Sequence, residues 1–261
     1  GKTVMTALLL AALRQTGRPA LALKPFCSGG RGDAELLHEL QKEAASLDDV
    51  NPFYFPQAIA PLEAARVARR RVTTDDVLCN IYEIGGRWLG QLQRETESGQ
   101  PCCLIEGAGG LLSPLGVFPA RFRRDSSDPN EAVFTSLDLI AAMDASVVLV
   151  AANRLGTLNH TLLSLQALRL AEVHRVVVVL AETAPPSNDD PSRNSNLKLL
   201  RKMAEPRRVL SLPYLGDIPE NLSPRTRAAR IHAAAKKYRA RLRRLMKELR
   251  TAERSRGRSP H

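Results

Sequence analysis

GKTVMTALLLAALRQ, residues 1–15, is the stretch on which the fold turns. Gly1-Lys2-Thr3 reads as the closing triplet of a phosphate-binding loop, G-x-x-x-x-G-K-[ST]. In such a loop backbone N–H groups cradle phosphates, the lysine neutralises charge and the hydroxyl reaches Mg2+. The first half of that loop, and the strand before it, are expected upstream of Gly1. Val4–Gln15 is an unbroken apolar, helix-forming run. It sets the triplet at a helix N-terminus, where orphan N–H groups and the helix dipole favour an anion. An ordinary helix start fits three residues equally well, so the rest of the chain has to decide.

Outward from that helix, the apolar runs are continuous rather than alternating, as in strands buried on both faces. They are Ala20–Lys24, Cys102–Ile105, Ser146–Ala151, Arg175–Ala181 and Val209–Leu212. Helical spacing falls between them at Asp33–Ser46, Leu62–Arg70, Val77–Thr96, Leu137–Met143, Leu162–Ala171 and Leu197–Met203, with Asp33 as a cap or first-turn residue. Pro25–Gly32 is expected to be a functional loop, Asn51–Pro61 an extended crossing and Pro185–Asn194 a polar, proline-rich connection. Strands that alternate with helices predict an α/β fold, P-loop NTPase-like, with a mostly parallel sheet and helices on both faces. No internal repeat is visible.

Charge divides the chain. Residues 224–261 hold 14 Lys or Arg against two acids, so they carry +12 of a net +11 and residues 1–223 carry −1. The expected domains are therefore a nearly neutral body, 1–223, and a basic helical extension with a Ser/Arg/Gly tail, 224–261. A solvated helix is the plain reading of that extension, and contact with nucleic acid or an acidic surface the sharper one. The four cysteines, Cys27, Cys79, Cys102 and Cys103, lack metal-ligand or disulfide spacing, and a reducing, cytoplasmic setting is expected. Cys102 and Cys103 adjoin a buried strand, where a thiol acts as a small apolar residue. No run of some 18 apolar residues suggests a membrane span.

Ligands of open parallel sheets bind beyond the carboxyl ends of the strands. Three polar groups fall there: Lys24 with its loop, Glu106 with Gly107-Ala108-Gly109-Gly110, and Asn153–His160. With Thr3 and Asp33 they supply the hydroxyl, carboxylates and cation that phosphoryl transfer with Mg2+ needs. A helix cap explains Asp33 equally well; a carboxylate at the end of an apolar strand, as at Glu106, needs a cation or donor to meet it.

These residues stand in an order that resembles the dethiobiotin synthetase family. The motifs are Gly1-Lys2-Thr3; Lys24-Pro25-x-x-Ser28-Gly29; Asp33; Asn51-Pro52 with Pro61; Glu106–Gly110 followed by Pro114-Leu115; Leu155-Gly156-Thr157-Leu158-Asn159-His160; and Leu215-Gly216-x-Ile218-Pro219, together covering about residues 1–222. The resemblance implies ATP-dependent carboxylation of 7,8-diaminopelargonate with CO2 and closure of a cyclic urea. It implies Lys24 as the catalytic cation, Ser28 as a substrate contact, and Thr3, Asp33 and Glu106 around Mg2+. Gly1, Lys2, Thr3, Asp33, Glu106, Gly107, Ala108, Gly109, Ala181, Glu182, Pro219, Glu220 and Asn221 would line the nucleotide. It further implies a homodimer in which Leu155 and Asn159 reach the partner's substrate.

Two departures stand out. Ala181-Glu182 occupies the place of an Asn-Asp-like pair that reads adenine in the family, which puts the base preference in doubt, and the basic extension is longer than the family needs. The alternatives are another P-loop ATP-dependent amidase or ligase of cofactor synthesis, a nucleic-acid-associated partition-type ATPase, and a non-catalytic paralogue. As a strand-end residue, Lys24 is expected to tolerate alanine without loss of fold, and removal of residues 240–261 to leave turnover largely unchanged.

Overall fold

A computed structural model describes residues 1–95, 101–119, 132–185, 189–204 and 208–254. The serine- and arginine-rich tail at 255–261 and part of the proline-rich connection, 186–188, lie outside the described residues. The chain forms two compact units. One comprises Lys2–Leu139 and Pro219–Ala235, here the N-terminal unit; the other comprises Gly1, Ile140–Ile218 and the chain from Lys236, here the C-terminal unit.

In the N-terminal unit, α1 (Lys2–Arg14) is buried almost all round, from Met5 through Leu13, as an apolar helix without a polar face must be. Beside it β1 (Ala20–Leu23) pairs in parallel with β4 (Cys102–Ile105), Leu23 opposite Ile105. The two residues that follow, Lys24 and Glu106, are thereby delivered side by side from adjacent strands about 5 Å apart. The segment expected to be a loop contains a strand, β2 (Phe26–Ser28), paired in parallel with β3 (Phe53–Phe55), and Phe26 stacks on Phe53 at 5.1 Å.

Helix α2 (Gly32–Glu39) ends well before Ser46. The cause is Gln41, whose amide donates to the Ala22 carbonyl at 2.6 Å and accepts from the Ala22 N–H at 2.8 Å. It closes the free edge of β1 with a side chain in place of a strand, and a continuing helix would carry it away. A short α3 (Leu47–Val50), absent from the sequence expectation, follows with Ser46 as a capping box partner of Asp49. Then come α4 (Pro61–Val67) and α5 (Thr74–Glu95). An antiparallel pair that the sequence did not suggest, β5 (Pro114–Val117) with β6 (Val133–Thr135), leads into α6 (Ser136–Ala142).

In the C-terminal unit β7 (Val147–Ala152), β8 (Val176–Ala181) and β9 (Val209–Leu212) form a parallel sheet in the order 7-8-9. Between them run α7 (Thr157–Leu170) and α8 (Ser192–Met203), closing a core of Val178, Leu180, Leu200, Ala204 and Val209. Helix α7 starts five residues before the expected Leu162, because Gly156 caps it with φ of 86°. The basic extension is two helices rather than one: α9 (Pro224–Lys237) and α10 (Arg239–Arg254) break at Tyr238. In the C-terminal unit α10 lies against β8 with Leu242 and Leu245 buried. Among the described residues no helix is long and apolar enough to cross a membrane.

Candidate active site

At the carboxyl ends of β1 and β4, Lys24 is 7% exposed and Glu106 3%. Lys24 Nζ donates to Glu106 Oε1 at 2.6 Å and lies 3.2 Å from Asp33 Oδ2. From the start of α1, the Thr3 hydroxyl donates to the same Glu106 Oε1 at 2.7 Å. Thr3, Lys24, Asp33 and Glu106, singled out from four separate stretches of sequence, therefore form one cluster. Burial alone would pull the Lys24 ammonium down. Glu106 first, then Asp33 and the hydrogen bond to Glu106, outweigh it, so the lysine titrates above its ordinary value and stays charged.

The backbone around the lysine is braced. Asn51 Nδ2 donates to the carbonyls of Lys24 at 2.9 Å and Pro25 at 3.2 Å. Its Oδ1 accepts from Arg31 Nε at 3.1 Å, and Arg31 Nη2 binds Asp48 at 2.9 Å while its guanidinium lies over the Tyr54 ring. Ser28 is half-buried at the end of β2. Gly29 beside it has φ of 88°, and a Cβ there would come within 2.9 Å of Ala58. The thiol of Cys27, on β2, is pushed up to about 11, mainly by burial. Cys103 is pushed up to about 12 for the same reason, although β4 is half-buried rather than fully enclosed. None of the four cysteines is in a disulfide.

The second oxygen of Glu106, Oε2, is buried and among the described residues has no hydrogen-bond partner. An orphaned carboxylate oxygen beside a second carboxylate and a hydroxyl fits a hard cation. Mg2+ takes oxygen ligands and commonly binds through one or two carboxylates plus substrate phosphates, keeping waters. Among the described residues no group of three or more His, Cys, Asp or Glu could hold a metal by itself, so phosphate oxygens would have to complete the shell. Next to this cluster the chain turns through exposed Gly107, half-buried Ala108 and exposed Gly109; Gly109 has φ of 63°, and a Cβ there would strike Ser113 Oγ. Gly1 and Lys2 are exposed, as are Pro219, Glu220 and Asn221 ahead of α9.

In the C-terminal unit Glu182 is not free. It accepts from Asn153 Nδ2 at 2.5 Å and from Arg193 Nε at 3.0 Å and Nη2 at 2.5 Å. Asn196 Nδ2 joins through Asn153 Oδ1 at 2.9 Å. Ala181, buried at the end of β8, brings no polar side chain. Leu155 is 80% exposed, its N–H held by Asp190 at 2.8 Å, and Asn159 is exposed on α7. Sequence reasoning did not single out Gln41, Arg31, Arg193 or Asn196. Asn51 and Asn153 had signals, the first as part of Asn-Pro after a capped turn and the second as a polar residue at a strand end.

A family model described as an AAA domain matches residues 1–120 and 125–223. The chain is 32% identical over 222 residues to the ATP-dependent dethiobiotin synthetase BioD of Anaeromyxobacter sp. (strain K), covering 84% of this chain and 86% of that one. It is 32% identical over 224 residues to the protein of the same name from Caulobacter vibrioides (83% and 89% covered). To that of Bacillus velezensis it is 28% identical over 226 residues (84% and 82% covered). With Lys24, Asp33, Glu106 and Thr3 gathered at one strand edge and this likeness running over most of both chains, the chain belongs to the ATP-dependent dethiobiotin synthetase family.

Proposed function

We infer that this protein carboxylates 7,8-diaminopelargonate with CO2 and closes the product to the cyclic urea dethiobiotin, converting ATP to ADP and phosphate. The observation that carries the reading is the buried Lys24 ammonium held between Glu106 and Asp33 at the strand ends, with the Thr3 hydroxyl on the same carboxylate oxygen. One substrate amine attacks CO2 and loses a proton, giving a carbamate. A carbamate oxygen then attacks the γ-phosphorus and ADP leaves. The second amine attacks the carbon of the mixed anhydride, phosphate leaves, and the ring is closed.

Negative charge builds on the carbamate and on the transferring phosphoryl oxygens, where a preorganised cation is worth most. An ammonium has three donors, and two carboxylates occupy two directions, leaving one for the substrate. Ser28, at the end of β2, contacts the substrate, while Gly1, Lys2 and Thr3 hold phosphates. Gly107–Gly109, Ala181, Glu182 and Pro219–Asn221 flank the nucleotide. Glu106 Oε2, Asp33 and Thr3 would hold Mg2+, which when bound neutralises phosphate charge.

Residues 1–223 carry the groups that meet the substrates, 224–261 follow as the basic extension, and a cytoplasmic setting fits the cysteine pattern. The chain functions as a homodimer with Leu155 and Asn159 at the partner's substrate; the exposed apolar residues Leu155, Leu163 and Leu170 on and before α7 support that face as the contact. The test is the full-length protein with diaminopelargonate, bicarbonate, Mg2+ and each nucleoside triphosphate in turn, following dethiobiotin by mass spectrometry. ATP is expected to support product formation, and no product with any nucleotide sinks the reading.

A further inference from the structure

Arg227 is an anomaly within the basic extension. Its neighbours on α9, Arg225 and Arg230, are exposed, whereas Arg227 is 4% exposed. Among the described residues no carboxylate lies within ion-pair distance of it, and its Nε is buried without a partner. Among the described residues its one side-chain hydrogen bond runs from Nη1 to the Gly32 carbonyl at 2.9 Å. Burying a guanidinium without a counter-charge is costly, and the first turn of a helix, the positive end of its dipole, is a poor place for a cation. Packing alone would be served better by Met or Leu. The one thing Arg227 adds is a donor on Gly32.

Gly32 opens α2, and Asp33 follows it, 3.2 Å from the catalytic lysine. That helix start has little capping of its own: Arg31, at the N-cap, makes no side-chain capping bond, the approach runs through Gly29 and Gly30, and the local hold is the Ala34 N–H on the Cys27 thiol. Arg31 pins the loop from the outside, to Asn51 and Asp48, and Arg227 holds its inner end. We propose that Arg227 is a positioning residue, whose bond to Gly32 fixes Asp33 against Lys24 and builds the first helix of the basic extension into the active site. The proposal rests on the function inferred above for its activity arm and is independent of it in the others.

The experiment compares Arg227→Met, Arg227→Lys and the surface control Arg225→Met in the full-length protein, each alone and with Asp33→Asn. Arg227→Met is expected to lower kcat about tenfold with KM for diaminopelargonate within twofold, and Arg227→Lys, which keeps one donor, to recover at least a third of the activity. In the Asp33→Asn background Arg227→Met should add less than twofold, because its effect passes through Asp33. Amide exchange of Gly32–Leu36 should quicken at least tenfold in Arg227→Met and remain as in wild type in Arg225→Met, whatever reaction the enzyme catalyses. An equal tenfold loss in both backgrounds, unchanged exchange at α2, or full activity in Arg227→Met overturns the proposal. If the methionine variant does not fold, the lysine variant decides by the same exchange and background comparison. Wild-type protein that makes no dethiobiotin would overturn the function instead and leave the exchange arm standing.

Discussion

Replacing Lys24 by alanine removes the cation from between two carboxylates, and the structure changes what that should do. At a strand end the residue was expected to be dispensable for folding. It is instead 7% exposed, with Glu106 at 2.6 Å and Asp33 at 3.2 Å. Taking one partner out of a buried pair costs about 3–5 kcal/mol, because the charge left behind stays desolvated. The Asp33 side chain is 34% exposed against 1% for Glu106, so water screens its share and the loss comes mainly from Glu106. We expect about 3 kcal/mol. For a unit of 150–250 residues that is a fall in Tm of roughly 6–12 °C.

The pH dependence separates this cause from lost packing. In Lys24→Ala the two carboxylates repel unless one holds a proton, so the folded state binds protons more tightly than the unfolded one and stability rises as pH is lowered from 7.5 to 5. A cavity has no such dependence. Thermal unfolding by circular dichroism at both pH values, with Lys24→Ala/Glu106→Gln as the relieved double variant, reads the effect. A Tm within 2 °C of wild type at pH 7.5, or a double variant no more stable than the single, would refute the electrostatic account.

Glu106→Gln keeps the shape but removes the charge at the orphaned Oε2, so it should abolish the Mg2+-dependent part of nucleotide binding measured by calorimetry while nucleotide alone still binds. Folded-state thiols at about 11 for Cys27 and about 12 for Cys103 bind protons more tightly than unfolded ones. Stability is thus intact below the unfolded thiol value of about 8.5 and falls as pH rises through the folded ones, by about 2 kcal/mol per thiol at pH 10. Denaturant titrations at pH 8 and 10 check it. Iodoacetamide at pH 8 should label exposed Cys79 and spare Cys27 and Cys103 in a peptide map. Leu245→Ala should destabilise by about 2–5 kcal/mol, because Leu245 is 3% exposed on α10, so truncation at 239 is expected to lower stability rather than pass unnoticed.

The sequence made the strands β1, β4, β7, β8 and β9 legible because a strand buried on both faces writes an uninterrupted apolar run, and the residue after the run is then delivered to the ligand edge. Lys24 and Glu106 could be found that way; that they touch could not, since it depends on the register that sets Leu23 against Ile105. The strands β2 and β3 escaped because three-residue strands beside prolines carry no periodicity. The early end of α2 depends on Gln41 finding the edge of β1, a contact made across 19 positions. Arg227 was hidden by its setting: in a run of arginines every one reads as solvated, and only burial tells which one is not.

Exposure within the cluster also sets how a substrate can approach. Glu106, with its side chain 1% exposed, cannot be the face from which the lysine is reached, whereas Asp33 at 34% stands at the open side. An arriving carbamate or phosphoryl oxygen would therefore meet Lys24 beside Asp33 and leave the Glu106 contact intact. On the proposed function the two carboxylates would then have different work: Glu106 would keep the lysine charged and aimed when the site is dry, while Asp33 would be the partner that exchanges contacts as phosphate charge arrives. That division makes the position of Asp33 the adjustable quantity of the site, and a helix start held by Arg227 from one side and Arg31 from the other is the means by which the fold sets it.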